Sequence, residues 1–188
     1  MAKIQDWKSM QEMSARLLEE RTGENVATWN RRIEQQQFTD EKSLRAWLAE
    51  QGVTGYARSL LVMERFGYPD FLLASADDLI DGQYADRSQL RPTFDAIIAA
   101  AASLGEVTIQ TRKTYVSLVT SRRTFARIQP TTKSRVDLGL RLERHRPGRR
   151  LQPSKIHETM HFQVSLTSVD DLDSEVLDWL QEAYDQNS

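Results

Sequence analysis

Cysteine is absent from the chain. That excludes a disulfide scaffold, a thiol nucleophile and a thiolate metal site, and it fits a reducing, cytoplasmic setting. No long hydrophobic run is present either: the longest, Ala96 to Leu104, is mostly alanine and far too short to span a bilayer. The N-terminus lacks the basic-then-apolar layout of a signal peptide. Internal repeats, low-complexity tracts, a Walker loop, a dinucleotide fingerprint and a nucleophile elbow are all missing, so no cofactor is expected. What remains is 39% hydrophobic and 28% charged, the balance of an ordinary globular protein, and 188 residues suffice for one medium domain or two small ones.

The net charge of −2 conceals a segregation. Residues 106–160 hold 13 Lys and Arg against 4 Asp and Glu, whereas residues 161–188 hold 7 acidic residues and no Lys or Arg. Two readings follow. The basic stretch serves an anionic partner, or it is neutralised internally by the acidic terminal segment.

The stretch from Val107 to Leu142 reads as four short strands. In the last, Val136, Leu138, Leu140 and Leu142 alternate with Arg135, Asp137 and Arg141, the period-two pattern of a half-buried antiparallel strand. A fifth strand follows, with Phe162, Val164 and Leu166 alternating against His161, Gln163, Ser165 and Thr167. Pro92 opens a preceding helix with Phe94, Ile97, Ile98, Ala101 and Leu104 as its apolar stripe. Ser168 is expected to cap a final helix carrying Leu172, Val176, Trp179, Leu180 and Ala183.

Upstream, four helices are expected in under seventy residues. The first runs from about Asp6 to Arg21 and ends at Gly23; the second begins near Asn25 with Val26, Trp29 and Ile33 at helical spacing. The third follows Thr39 as N-cap, buries Leu44, Trp47 and Leu48, and stops at Gly52; Thr54 caps a fourth that reaches Gly67. The text then changes over Tyr68–Arg91, where Phe71–Leu73 and Leu79–Ile80 form short helical turns at a domain junction. The expectation is an α+β protein: a small helical domain with its linker over 1–86, and over 87–188 a roughly five-stranded, mostly antiparallel sheet covered by the helix before it and the C-terminal helix.

The blocks LRPTFDAIIAAAASLG, KTYVSL, FARIQP, SRVDLGLRL and HFQVSLTSVDDLDSEVLDWLQEAY, in that order, resemble the bacterial domain-of-unknown-function family 5655. RTGENVATWNRR and LRAWLAEQGVTGYARSLLV are similar to domain-of-unknown-function family 4287, which often precedes it. The resemblance implies a two-domain layout and transfers no catalytic residue. Domains similar to the C-terminal one also occur attached to proteins that look like parts of DNA-restriction systems, and fold kinship does not determine function.

HETMH, with His157, Glu158 and His161, matches the HExxH pattern of zinc peptidases, in which a helix sets both imidazoles on one face and the glutamate activates a bound water. Glu175 or Glu182 would complete such a site. Its context is wrong for a helix: Pro153 lies just upstream and strand alternation begins at once. In an extended segment residues four apart lie roughly 13 Å apart, too far to share a metal. Gly52–Gly55, GVTG, reads as a C-cap followed by an N-cap rather than a backbone-binding turn.

The remaining signal is arginine. Arg112, Lys113, Tyr115, Arg122, Arg123, Arg127, Lys133, Arg135 and Arg141 come from neighbouring strands or their turns, and Arg144, Arg146, Arg149 and Arg150 extend the charge into a loop. Guanidinium forks match phosphate or carboxylate, and an outward Tyr115 offers a stacking surface, whereas Phe125 is placed in the core. The first expectation is a non-enzymatic module whose basic sheet face binds nucleic acid or another phosphate-bearing anion. The alternative is an assembly module that docks a protein partner or a second copy through the acidic last helix or an open sheet edge. A metal-dependent hydrolase using HETMH is the remote third reading. No membrane partner is expected.

Overall fold

The computed structural model describes residues 3–5, 7–69 and 74–188. Phe71–Leu73 lie outside those residues, and the expected turn there with them. The protein is α+β, and it divides into two compact units: Asp6–Ser75, and Met1–Gln5 together with Ala76–Ser188.

The first unit is helical: α1 (Trp7–Thr22), α2 (Val26–Gln36), α3 (Glu41–Glu50) and α4 (Gly55–Phe66). Its boundaries have identifiable chemical causes. The Asn25 side chain accepts from the Thr28 amide at 3.0 Å and starts α2. Asp40, not Thr39, caps α3: its carboxylate accepts from the Ser43 amide at 2.9 Å and the Ser43 hydroxyl at 2.8 Å. Thr54 occupies the N-cap of α4 but makes no side-chain cap bond, and Gly55 next to it has φ +60°, a conformation that favours glycine. The tight α3–α4 connection therefore depends on the backbone. Leu18, Trp29, Ile33, Leu44, Leu48, Val53, Ala57, Leu61 and Val62 form the core. The Trp29 indole N–H donates to Thr22 Oγ1 at 3.0 Å, so the buried ring leaves no polar atom wanting.

In the second unit, α5 (Ala76–Tyr84) and a 3₁₀ turn (Ser88–Leu90) lead to α6 (Arg91–Leu104). The sheet follows as β2 (Thr108–Thr111), β3 (Val116–Val119), β4 (Thr124–Thr132), β5 (Arg135–Leu140), β6 (Gln152–Pro153) and β7 (Phe162–Leu166). α7 (Ser174–Asn187) closes the chain. Together with β1 (Lys3–Gln5) these make a seven-stranded sheet in the order β1-β2-β3-β4-β5-β7-β6. Among the described residues the β1–β2 pairing alone is parallel. The two strands beyond the expected five are three and two residues long, too short to show a period.

Val136, Leu138, Leu140 and Leu142 are all buried, as the alternation predicts. They join Ile109, Val116, Leu118, Ile128, Val164 and Leu166 on a face covered by Phe94, Ile97 and Ala101 of α6 and by Val176, Leu180 and Ala183 of α7. Burial of each large aliphatic side chain there contributes about 1.5–3 kcal/mol, which makes this layer the main stabiliser of the unit. A bulge at Leu118/Val119 turns Phe125 and Ala126 both inward, and Phe125 meets Tyr184 edge-on at 5.5 Å. Ser168 caps a 3₁₀ turn (Val169–Asp171) through a capping box with Asp171, and Asp173 caps α7 itself, accepting from Val176 N at 3.2 Å. The last helix thus starts one short turn later than Ser168 alone implies.

Candidate anion-binding face

The face of the sheet turned away from α6 and α7 is polar, and strand registers assign its neighbours. One row runs Gln110, Ser117, Arg127, Gly139, Gln163, Gln152; the adjacent row runs Gln129, Asp137, Ser165. Part of this face is not open. The segment 154–161 folds back over it, and a Cβ added at Gly139 would lie 2.8 Å from Ile156 Cδ1 and 3.1 Å from Met160 Cγ. Met160 is buried there. Arg141 Nε ties the cover down by donating to the Thr159 carbonyl at 3.2 Å.

Asp137 is wholly buried on this face. Ser165 Oγ donates to its Oδ1 at 2.6 Å, and Arg135 reaches both carboxylate oxygens, Nε at 3.1 Å and Nη2 at 3.2 Å. Such a carboxylate is tolerated because a cation and a hydroxyl replace its water. Arg135 is thereby committed internally.

Arg127 is different. Its guanidinium carbon sits 3.4 Å from the Tyr115 ring centroid, a stacked arrangement, and its buried Nε has no hydrogen-bond partner. Among the described residues no carboxylate lies within 4.0 Å of it. Burial holds this guanidinium below its ordinary value, yet at neutral pH it stays a cation. Next to it along β4, Gln129 Oε1 is buried without a partner. Tyr115, read as a stacking surface, serves as the platform for Arg127.

The other sequence-predicted cations spread over several places. Arg112 donates to Gln110 Oε1 at 3.2 Å and to the Thr111 carbonyl at 3.1 Å, and Lys113 is exposed in the β2–β3 turn beside it. Arg122 and Arg123 occupy the β3–β4 turn, where Arg122 donates to the Ser188 carbonyl at 3.0 Å and Arg123 lies 3.7 Å from Glu143. Arg150 reaches the start of α7, 2.6 Å from Asp173 and 3.4 Å from Glu175. Lys133 lies 3.8 Å from Asp86. Arg149 is exposed on the loop before β6. The sequence-predicted residues therefore do not form one surface: Tyr115, Arg127 and Arg135 share the sheet face, Arg112 and Lys113 flank it, Arg122 and Arg123 occupy the β3–β4 turn, and Arg149 and Arg150 belong to the α7 side.

HETMH forms a turn, not a helix. His157 Nδ1 accepts from the Thr159 amide at 3.2 Å, His161 Nδ1–H donates to the Leu142 carbonyl at 2.7 Å, and Glu158 is exposed. The helical geometry on which the zinc-peptidase motif depends does not form. Among the described residues no three His, Asp or Glu side chains are placed to share a metal ion.

Alternation places Asp137 and Ser165 on the polar sides of their strands without showing that the two meet or that Asp137 is buried, and it does not single out Gln129, Gly139 or Met160. A glycine inside a strand marks close approach of another segment, so Gly139 carried a readable signal.

The family model for Domain of unknown function (DUF5655) matches residues 77–187, more than half of the chain. No curated protein matches, and no solved structure does.

Proposed function

We propose that the chain, which belongs to the family Domain of unknown function (DUF5655), is a non-enzymatic binding module that takes an anionic partner at Arg127, nucleic acid being the leading candidate. One observation carries the reading: a half-buried guanidinium, oriented by an aromatic ring, with an unused Nε donor and no carboxylate beside it among the described residues. A cation in that state has already lost part of its water, so an incoming phosphate gains a charge-assisted bond at reduced desolvation cost. Arg112 and Lys113 extend positive charge along the flank, where a phosphate backbone would continue. We read the helical unit as a module of the 4287 type, on the blocks over 21–32 and 44–62, and the whole chain as cytoplasmic. Among the described residues no helix is long and apolar enough to cross a membrane.

The test is fluorescence anisotropy with labelled single- and double-stranded oligonucleotides at about 50 mM and about 200 mM salt, a range over which phosphate contacts lose affinity steeply. Arg127→Ala is expected to weaken binding about tenfold or more, and Arg127→Lys less, since the charge remains but the stacked fork is lost. Binding to no oligonucleotide, or equal affinity of Arg127→Ala and the parent, overturns the proposal.

A further inference from the structure

A cavity separate from Arg127 lies where the loop before β6 meets α7. It measures about 270 Å³, and its lining includes His145, Arg146, Arg149, Arg150, Leu151, Glu175 and Trp179. Two of its groups are structural ties. Arg150 bridges to Asp173 at 2.6 Å and to the Asp171 carbonyl at 2.6 Å, and the His145 ring lies 2.7 Å from Glu182 and edge-on to Phe162. These ties hold the loop against α7, so the cavity is preformed.

Arg146 and Arg149 have no such task. Both are exposed and have no carboxylate within 4.0 Å among the described residues. Trp179 is only half-buried, and Leu151 is buried beside it as an apolar floor. Glu175, whose Oε2 accepts from Arg150 at 3.4 Å, adds a carboxylate, an acceptor-only group. An indole, an apolar floor, two uncommitted guanidiniums and one acceptor together define a complementary ligand. It has a flat ring for the indole, ring-edge N–H donors for Glu175 and an anionic group for the arginines. The volume lies just below the range of small-molecule sites, about 300–1,000 Å³, which restricts the occupant to a ring and its charged substituent. A plain aromatic acid lacks the N–H donors; a nucleobase bearing a phosphate has all three features.

We infer that this cavity binds one nucleotide unit, its base against Trp179 and its phosphate on Arg146 and Arg149. The unit is either a free mononucleotide or the phosphorylated end of a strand. Adenosine monophosphate, adenosine, inorganic phosphate and a 5′-phosphorylated oligonucleotide are titrated into the full-length ¹⁵N-labelled chain. The readout is the Trp179 indole N–H resonance, assigned with Trp179→Phe. The expected result is a saturable shift with adenosine monophosphate, at least about tenfold weaker with adenosine or phosphate alone, since each keeps only part of the contact set. Arg146→Ala and Arg149→Ala each weaken it about fivefold or more. Arg127→Ala leaves it unchanged, which separates this site from the sheet face. Saturation by the oligonucleotide but not the mononucleotide assigns the strand end as the natural source, and the converse assigns the free nucleotide. Absence of a saturable shift with both, or a shift indifferent to both arginine substitutions, overturns the inference.

Discussion

Gly139→Ala is the most direct probe of the cover over the polar face. The backbone there does not have positive φ, so alanine adopts it, and the reduced freedom of the unfolded chain alone would stabilise the protein by about 0.4–1 kcal/mol. The new methyl, however, would lie 2.8 Å from Ile156 Cδ1, 3.1 Å from Met160 Cγ and 3.2 Å from Met160 Cβ. The isoleucine tip rotates away at little cost. Met160 Cβ is fixed to the backbone of the covering segment, so that segment must lift, and overpacking of this kind costs about 1–3 kcal/mol. The net expectation is destabilisation by about 1 kcal/mol, measured as a lower urea midpoint with unchanged slope. Met160→Ala alone, at a buried site, costs about 2–5 kcal/mol because it leaves a cavity. In the double variant the alanine methyl at 139 occupies part of that cavity, so the combined loss falls short of the sum by about 1 kcal/mol. A Gly139→Ala protein as stable as the parent, or single effects that add within about 0.5 kcal/mol, would refute the packing of segment 154–161 on this face.

Asp137→Asn keeps the shape and the Ser165 bond but removes the charge facing Arg135; because Arg135 is 39% exposed, the loss is discounted to about 1 kcal/mol. Asp137→Ala strands the Ser165 hydroxyl as well and costs about 2–3 kcal/mol by urea denaturation, and a neutral effect would contradict the buried pair. Asp171 is held below the usual carboxylate value by the Thr167 amide and hydroxyl, and Asp173 by the Val176 amide and then Arg150. With both values depressed in the folded state, the unfolded chain binds protons first. Stability from these caps is complete above about pH 4 and disappears as pH falls through the native values. The urea midpoint should therefore drop on acidification and drop less in Asp171→Asn; identical profiles would exclude the linkage. Leu48→Ala, at a fully buried position of the helical unit, should lower the transition followed by Trp29 and Trp47 fluorescence by about 2–5 kcal/mol; an unchanged transition would contradict the core assignment.

Much of the architecture was legible because it rests on short-range pattern. The alternation Val136-Leu138-Leu140-Leu142 is a property of one strand, and it identified the buried face without knowledge of the neighbours. Asn25, Gly23 and Gly67 mark helix ends through bonds to residues three or four positions away, which is why those boundaries appear where expected. The acidic tail was also readable as a counter-charge: Arg150 does meet Asp173 and Glu175.

The remaining features depend on parts of the chain that meet across long separations. Whether Asp137 faces water or protein depends on Ser165, 28 residues away, and on Arg135 turning back along its own strand. Whether the polar face is open depends on Met160 and Ile156, whose segment has no period of its own and gains its conformation from what it covers. Composition counted the arginines; strand register and loop return separated Arg127, which has no acid beside it among the described residues, from Arg135 and Arg150, which do. Periodicity is local and can be read along the chain, whereas desolvation and pairing are properties of the space between segments, which exists only in the folded protein.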